Sequence, residues 1–370
     1  MNVVFRTDAS IQIGTGHVMR CLTLAEALTE AGSKCHFIGR AHDGNLFHEI
    51  QQRGFTVTSL PATDIEDKYV SDKGVMPSHA AWLGCDWQVD AEQTRMSLNG
   101  LRADWLVLDH YALDLRWERA VCDPCMKLAV IDDLADRAHE CDLLVDQNLG
   151  RTASDYQGLL PEHSHLLIGP SYGLLRPEFA KMREYSLSRR ILSASMNKVL
   201  ITMGGIDQPN ATGEVLKALM SCRLPSDCEI TVVMGGNAPS LTQVQALART
   251  MPWPTDVLIN VKNMAQLMAE SDIAIGAAGG TSWERCCLGL PTILVTLAAN
   301  QQAVGEALAT ANAAYLLGDI TSIERLPAVL AQLLDNRAFV LMSEAASKVT
   351  DGLGAQRVAQ RMVGNDASSF

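Results

Sequence analysis

Val3-Val4-Phe5-Arg6-Thr7-Asp8, followed by Ile13-Gly14-Thr15-Gly16-His17-Val18-Met19-Arg20, opens the chain. The apolar start reads as a strand and the two glycines as a tight turn. Val18, Cys21, Leu22, Ala25 and Leu28 then recur at helical spacing up to Gly32. Gly14 and Gly16 allow a substrate to approach the backbone, and a new helix offers unpaired N–H groups and positive dipole character to an anion. His17 therefore stands at the mouth of a site and is the candidate catalytic residue; the plainer alternative is a histidine that only caps the helix. A dinucleotide-binding loop would need a third glycine near Met19 and an acid about 20 residues further on, in the next strand. Neither Met19 nor the strand at 34–38 supplies them.

Working outward, strands are expected at 34–38, 55–57, 105–108 and 127–131, with a helix near 45–52. Alternation of this kind implies a parallel sheet with helical crossovers. The rhythm restarts at 198–203 and continues through 229–234, 256–260, 272–275 and 291–295. A chain of 370 residues is long for one core, so the fold class is α/β, with two Rossmann-like doubly wound domains facing each other across a cleft. The expected domains are 1–175 and 176–370, with the terminal helices free to pack back on the first. The stretch 169–195, which carries Pro170, Gly173, Pro177 and several serines, is the expected connection. A polar segment at 64–94, with Trp82 and Trp87, breaks the rhythm either as a loop excursion over the cleft or as a surface insertion.

Composition narrows the function. With 30 basic and 42 acidic residues the net charge is −12, which argues against tracking a nucleic-acid backbone, since that needs concentrated positive surface. The N-terminus lacks the basic start and apolar run of a secretion signal, and no stretch approaches the roughly 20 apolar residues of a spanning helix. Ten scattered cysteines fit a reduced compartment. Cys122 and Cys125 form one C-x-x-C motif, but a structural zinc site needs a second pair.

The second half carries two glycine signals. Gly204-Gly205 follows a strand and precedes Asp207, Asn210 and Thr212, turn chemistry suited to exposing backbone amides ahead of a helix. In Ile275-Gly-Ala-Ala-Gly-Gly-Thr-Ser-Trp-Glu284 a buried strand ends in glycines and small residues that admit a bulky ligand, and a helix opens at Thr281 or Ser282. Its N-terminus can hold a diphosphate. Glu284 either stabilises the helix dipole or accepts hydrogen bonds from two ribose hydroxyls. Downstream, Asn300 and Gln301 end a strand, where they can serve a sugar or phosphate; helix capping by Asn300 is the alternative.

Together these residues resemble a known family. Arg6-Thr-Asp-Ala-Ser10 with the turn from Gly14 to Arg20, Asp109-His-Tyr111, Asp146-Gln-Asn148, Gly169-Pro-x-Tyr172 with Arg176-Pro-Glu178, Gly204-Gly-x-Asp207, and the run 276–301 occur in that order. The chain is similar to the UDP-2,4-diacetamido-2,4,6-trideoxy-β-L-altropyranose hydrolases of pseudaminic acid biosynthesis, relatives of the GT-B glycosyltransferases. The resemblance implies a GT-B fold and hydrolysis of the anomeric C–O bond to UDP, with inversion. On it His17 matches the catalytic histidine, Tyr111 and Asn300 match sugar-side positions, and Glu284 matches the ribose ligand. For Tyr111 the residues alone allow core packing equally well.

The expected substrate-binding groups are Gly14, Gly16, Arg20, Tyr111, Asn300 and Gln301, and the expected nucleotide-binding groups are Gly204, Gly205, Gly279, Gly280, Thr281, Ser282 and Glu284. A histidine of ordinary pKa, about 6.5, is neutral at pH 7 and can take a proton from attacking water. Asp8, near His17 along the strand and loop, is the expected orienting partner of the imidazole. The expected agent is a cytoplasmic monomer acting on a UDP-sugar, with no cofactor, metal, nucleic acid or membrane. A carboxylate cluster of Asp109, Asp132 and Asp133 on a metal is the contrary arrangement. Rival functions are a GT-B glycosyltransferase, a nucleotide-sugar epimerase and a non-catalytic nucleotide-sugar binding module.

Overall fold

The computed structural model describes residues 1–62, 76–192, 196–335 and 338–364. The chain divides into two compact units. One comprises residues 1–174 with the chain from Gly354 onward, and the other is Leu175–Leu353.

The first unit is built on seven parallel strands: β1 (Asn2–Thr7), β2 (Lys34–Arg40), β3 (Thr56–Leu60), β4 (Trp105–Asp109), β5 (Lys127–Ile131), β6 (Leu143–Asp146) and β7 (His165–Ile168). Their order is β3-β2-β1-β4-β5-β6-β7. A parallel sheet is covered on both faces, so its central strand must be apolar on both, and Val3, Val4 and Phe5 of β1 are all buried. Val3 and Phe5 pack with Val18, Leu22 and Leu24 of the helix Gly16–Glu30, while Val4 packs with Ile38, Leu106 and Trp117. The helix Gly354–Met362 closes the first of these cores. Its Ala355, Val358, Ala359 and Met362 fall on one face by their i, i+3, i+4 and i+7 spacing and are buried there.

The second unit holds six parallel strands: β8 (Lys198–Thr202), β9 (Glu229–Met234), β10 (Thr255–Ile259), β11 (Ile273–Ala277), β12 (Thr292–Thr296) and β13 (Tyr315–Asp319). The order β10-β9-β8-β11-β12-β13 is the doubly wound arrangement. Strand order reverses between β1 and β4 in the first sheet and between β8 and β11 in the second. Ligands of such sheets bind beyond the carboxyl ends of the strands at those points.

The stretch 169–195, expected as the connection, contains the division between the units at Leu174 and Leu175 and, after it, a 16-residue helix, Pro177–Leu192. Pro177 suits a first helical position, Glu178 lies in the first turn and Arg189 and Arg190 in the last, all favourable to the helix dipole. Arg190 is buried and donates to the carbonyls of Met268, Ser271 and Leu288 at 2.9, 2.8 and 3.1 Å, which anchors the helix; burial lowers its pKa to about 9. One of the two alternatives for the polar segment at 64–94 is corrected. Residues 63–75 lie outside those described, but the part from residue 76 onward is no surface decoration. It forms a short turn of helix, Ala80–Leu83, and the helix Trp87–Leu98.

Asp90 of that helix is fully buried. It accepts from Arg6 Nη2 and Arg40 Nη2, each at 2.6 Å, and from Trp117 Nε1 at 3.0 Å. Burial alone would raise its pKa; Arg6 and Arg40 outweigh that and hold the carboxyl below its usual range. Two buried guanidinium groups therefore share this carboxylate. Removing one partner of a buried ion pair leaves charge uncompensated and costs about 3–5 kcal/mol. Asp90→Ala is expected to lower the urea midpoint of the first unit by that amount of stability, and an unchanged denaturation curve would contradict the account.

Candidate active site

The turn that places His17 is held by Ser10. Its Oγ accepts from the N–H of Gln12 and Ile13 at 3.1 and 2.9 Å, and its carbonyl accepts from Gly14 N at 2.8 Å. Gly14 has φ +82°, a conformation that side chains rarely adopt, and the space beside both Gly14 and Gly16 is open. The helix begins at Gly16, after Thr15, so His17 lies in its first turn.

The imidazole does not cap the helix. Thr7 of β1 is in register with Asp109 at the end of β4, and this pairing brings Asp109 beneath the first turn. His17 Nδ1 lies 2.6 Å from Asp109 Oδ1. Asp8, the expected partner, is elsewhere: Oδ1 accepts from Arg6 Nη1 and from the backbone N–H of Arg40, both at 2.6 Å, and Oδ2 faces His110 and His42 at 3.3 and 3.6 Å. The reason is register. Asp8 is taken up by Arg6 and by Arg40 at the end of β2, whereas β4, on the other side of β1, delivers the acid that His17 meets.

Arg20, one helical turn beyond His17, grips the same carboxylate. Its Nε donates to Oδ2 at 2.6 Å and its Nη2 to Oδ1 at 2.7 Å. Its Nη1 bonds Asp133 Oδ2. Arg20 was expected to bind substrate; its guanidinium is instead committed to two aspartates. Burial would raise the Asp109 carboxyl, but Arg20 and then His17 outweigh it and hold it far below the usual range. An ionised carboxylate only accepts, so Nδ1 of His17 carries a proton toward Asp109. Nε2 has no partner among the described residues. The result is an imidazole with Nδ1 held by Asp109 and Nε2 open.

Tyr111, two residues past Asp109, stands edge-on to His17, with ring centroids 4.5 Å apart at 85°. Its hydroxyl donates to Asp133 Oδ2 at 2.8 Å, and burial keeps that hydroxyl protonated well above the ordinary tyrosine range. Trp82 lies 5.9 Å from the Tyr111 ring and 25° from parallel, and 6.4 Å from the His17 ring. His79 touches Trp82 at 4.5 Å and Tyr111 at 5.3 Å. Trp82 and His79, with Asp109 in its orienting role, are site residues that the sequence did not reveal. The carboxylates of Asp109, Asp132 and Asp133 do not converge on a common centre: Asp132 pairs with Arg137 at 2.9 Å, while Arg20 claims the other two. Among the described residues no three metal-ligating side chains are grouped.

The glycine signals of the second unit lie at its own switch point. Gly204 (φ +95°) and Gly205 follow β8, are exposed, and have open space beside them; Gly205 O accepts from Gly235 N at 3.0 Å. The amides expected to be offered beyond them are already taken. Asp207 accepts from Ala211 N and Thr212 N at 2.9 Å each, and Asn210 from Gly213 N at 3.1 Å. After β11, Gly280 is also open, and Gly279 lies beside the Gln301 amide. Gln301 Oε1 accepts from Leu297 N at 2.9 Å.

Thr281 and Ser282 open the helix Thr281–Cys287, and the buried guanidinium of Arg285 donates to both hydroxyls, at 3.3 and 3.0 Å, and to Ala277 O at 2.7 Å. Gly276 is required there, because a Cβ would come within 2.6 Å of that guanidinium and 2.8 Å of Thr202 O. Glu284 is largely covered and faces Arg176 at 3.6 Å; burial raises its pKa, and Arg176 opposes the rise. Asn300 is exposed and caps neither adjoining helical segment, since no side-chain cap bond forms at either.

Residues 200–362 match the glycosyltransferase family 28 C-terminal domain. An uncharacterised protein of Methanocaldococcus jannaschii is 26% identical over 80% of this chain and 55% of its own length, so the chain spans about half of that relative. The UDP-2,4-diacetamido-2,4,6-trideoxy-β-L-altropyranose hydrolase of Campylobacter jejuni is 25% identical over 84% of this chain and 96% of its own. Among solved structures, Acinetobacter baumannii MurG matches with a TM-score of 0.71 and 15% identity, covering 98% of this chain and 99% of that one. The fold is thus that of the GT-B glycosyltransferases, and in sequence the chain resembles the UDP-diacetamido-trideoxy-altropyranose hydrolase.

Proposed function

We propose that the protein hydrolyses the anomeric C–O bond of UDP-2,4-diacetamido-2,4,6-trideoxy-β-L-altropyranose, releasing UDP and the free sugar with inversion. The observation that carries this reading is the His17–Asp109 pair, with Nδ1 anchored and Nε2 open. Nε2 takes a proton from water as the water oxygen attacks the anomeric carbon; the electrons of the breaking C–O bond leave with UDP. Asp109 stabilises the imidazolium that forms, and Arg20 fixes Asp109. The nucleotide is assigned to the second unit, with the glycines at 204–205 and 279–280 admitting the diphosphate and Glu284 accepting from the ribose hydroxyls. Gln301, beside Gly279, and the exposed Asn300 are assigned to the sugar and phosphate. No helix among the described residues is long and apolar enough to cross a membrane.

The match to a glycosyltransferase domain supports a second reading, transfer of the sugar to an acceptor hydroxyl by the same base. Purified protein given the UDP-sugar without acceptor separates the two: UDP release supports the hydrolase, and UDP release that requires an acceptor overturns it. In isotopically labelled water, label in the sugar marks C–O cleavage and label in UDP marks P–O cleavage.

His17→Asn is expected to lower kcat by about 10²–10⁴-fold, the usual scale for losing a general base, with UDP affinity nearly unchanged. Asp109→Asn deprives the ring of its charged anchor and is expected to cut kcat by up to about 10⁴-fold with a small effect on KM. Wild-type turnover by either variant would sink the dyad. Glu284→Ala is expected to weaken UDP binding by about 10–100-fold in calorimetry, from the loss of hydrogen bonds to a charged acceptor. Unchanged UDP affinity would remove Glu284 from the ribose.

A further inference from the structure

Around His17 most polar groups are paired, and two of the exceptions stand beside Tyr111. Asp109 receives His17 and both arms of Arg20; Asp133 Oδ2 receives Arg20 and Tyr111. Asp133 Oδ1, however, is buried with no partner, and so is His79 Nδ1. Buried polar atoms are nearly always satisfied, and an orphan costs about 1–3 kcal/mol. The Trp82 indole N–H likewise meets no acceptor among the described residues. The three residues lie in one cluster: His79 contacts the rings of Trp82 and Tyr111, Trp82 stacks on Tyr111, and Asp133 accepts from the Tyr111 hydroxyl.

We propose that Asp133, His79 and Trp82, with Tyr111, form a recognition pocket for the acetamido group of the sugar, which makes them specificity-determining residues. This rests on the UDP-sugar reading above and extends it to the substituent that is read. An acetamide has one N–H, one carbonyl oxygen and one methyl group. Asp133 Oδ1 is a free acceptor for the N–H. Trp82 Nε1 is a donor for the carbonyl. Burial lowers the pKa of His79, so its ring is neutral and carries one N–H beside one acceptor, adding a second donor to the pocket. The methyl group meets aromatic faces. A hexose with a plain hydroxyl at that position would leave the aromatic faces and one donor unused.

The test is binding of UDP, UDP-N-acetylglucosamine, UDP-glucose, UDP-N-acetylgalactosamine and UDP-galactose by calorimetry, in a His17→Asn background that silences turnover. At least one N-acetyl sugar is expected to bind tenfold or more tightly than its hydroxyl counterpart. Trp82→Ala and Asp133→Asn should each reduce that ratio to threefold or less, with the Kd for UDP unchanged. Trp82→Phe, which keeps the ring and loses the donor, should retain an intermediate ratio and guards against a folding artefact in the alanine variant. No N-acetyl preference in either sugar pair, or a preference that survives in Trp82→Ala and Asp133→Asn, overturns the pocket. Acceptor-free UDP release by the wild type without such a preference would leave hydrolysis standing and remove the pocket. The preference without UDP release would do the reverse.

Discussion

Asp109 is the group on which the candidate site depends. It ends the strand beside β1, is fully buried, and accepts from His17 and twice from Arg20. A carboxylate in that position would be costly without cationic company, so Arg20 is as necessary as the acid itself. Because Arg20 also reaches Asp133, and Asp133 holds the Tyr111 hydroxyl, the orientations of the imidazole, the phenol and the carboxylates are set together. No member of this set can rotate without exposing a charge or stranding a hydrogen bond.

The two sheets use the same architectural point with different chemistry. In the first, the ends of β1 and β4 carry titratable groups: His17, Asp109 and Tyr111. In the second, the ends of β8 and β11 carry glycines with open space beside them, and Arg285 is tucked beneath. One arrangement suits moving a proton; the other suits close approach of a large anion. This division of labour has a physical basis, since a preorganised base needs side chains locked by packing, and a ligand cradle needs side chains removed.

Much of this was legible in the sequence because parallel strands are short, apolar on both faces and bounded by turn residues. Ten of the strands announce themselves in that way. β6, β7 and β13 do not, being four- or five-residue runs without a clear helical partner. The helix Pro177–Leu192 was hidden by its serines and flanking prolines, though its charges are arranged as a helix prefers. His17, Glu284 and the glycine turns stand out as candidates from local context alone. The partner of His17 does not, because the register of β1 against β4 spans about a hundred residues and leaves no trace in spacing. Trp82 and His79 lie in a polar segment with no periodicity, where only the three-dimensional contact gives the residues meaning.

The helix Gly354–Met362 has a consequence for how the molecule is made. It belongs to the first unit, although it is synthesised after the whole of the second. Until Ala355, Val358 and Met362 emerge, the apolar face of the helix Gly16–Glu30 lacks part of its cover. The second unit, whose core needs nothing from either end, can complete its own packing first. In biosynthesis, then, the first unit keeps an uncovered seam until the helix Gly354–Met362 has left the ribosome, after the whole of the second unit.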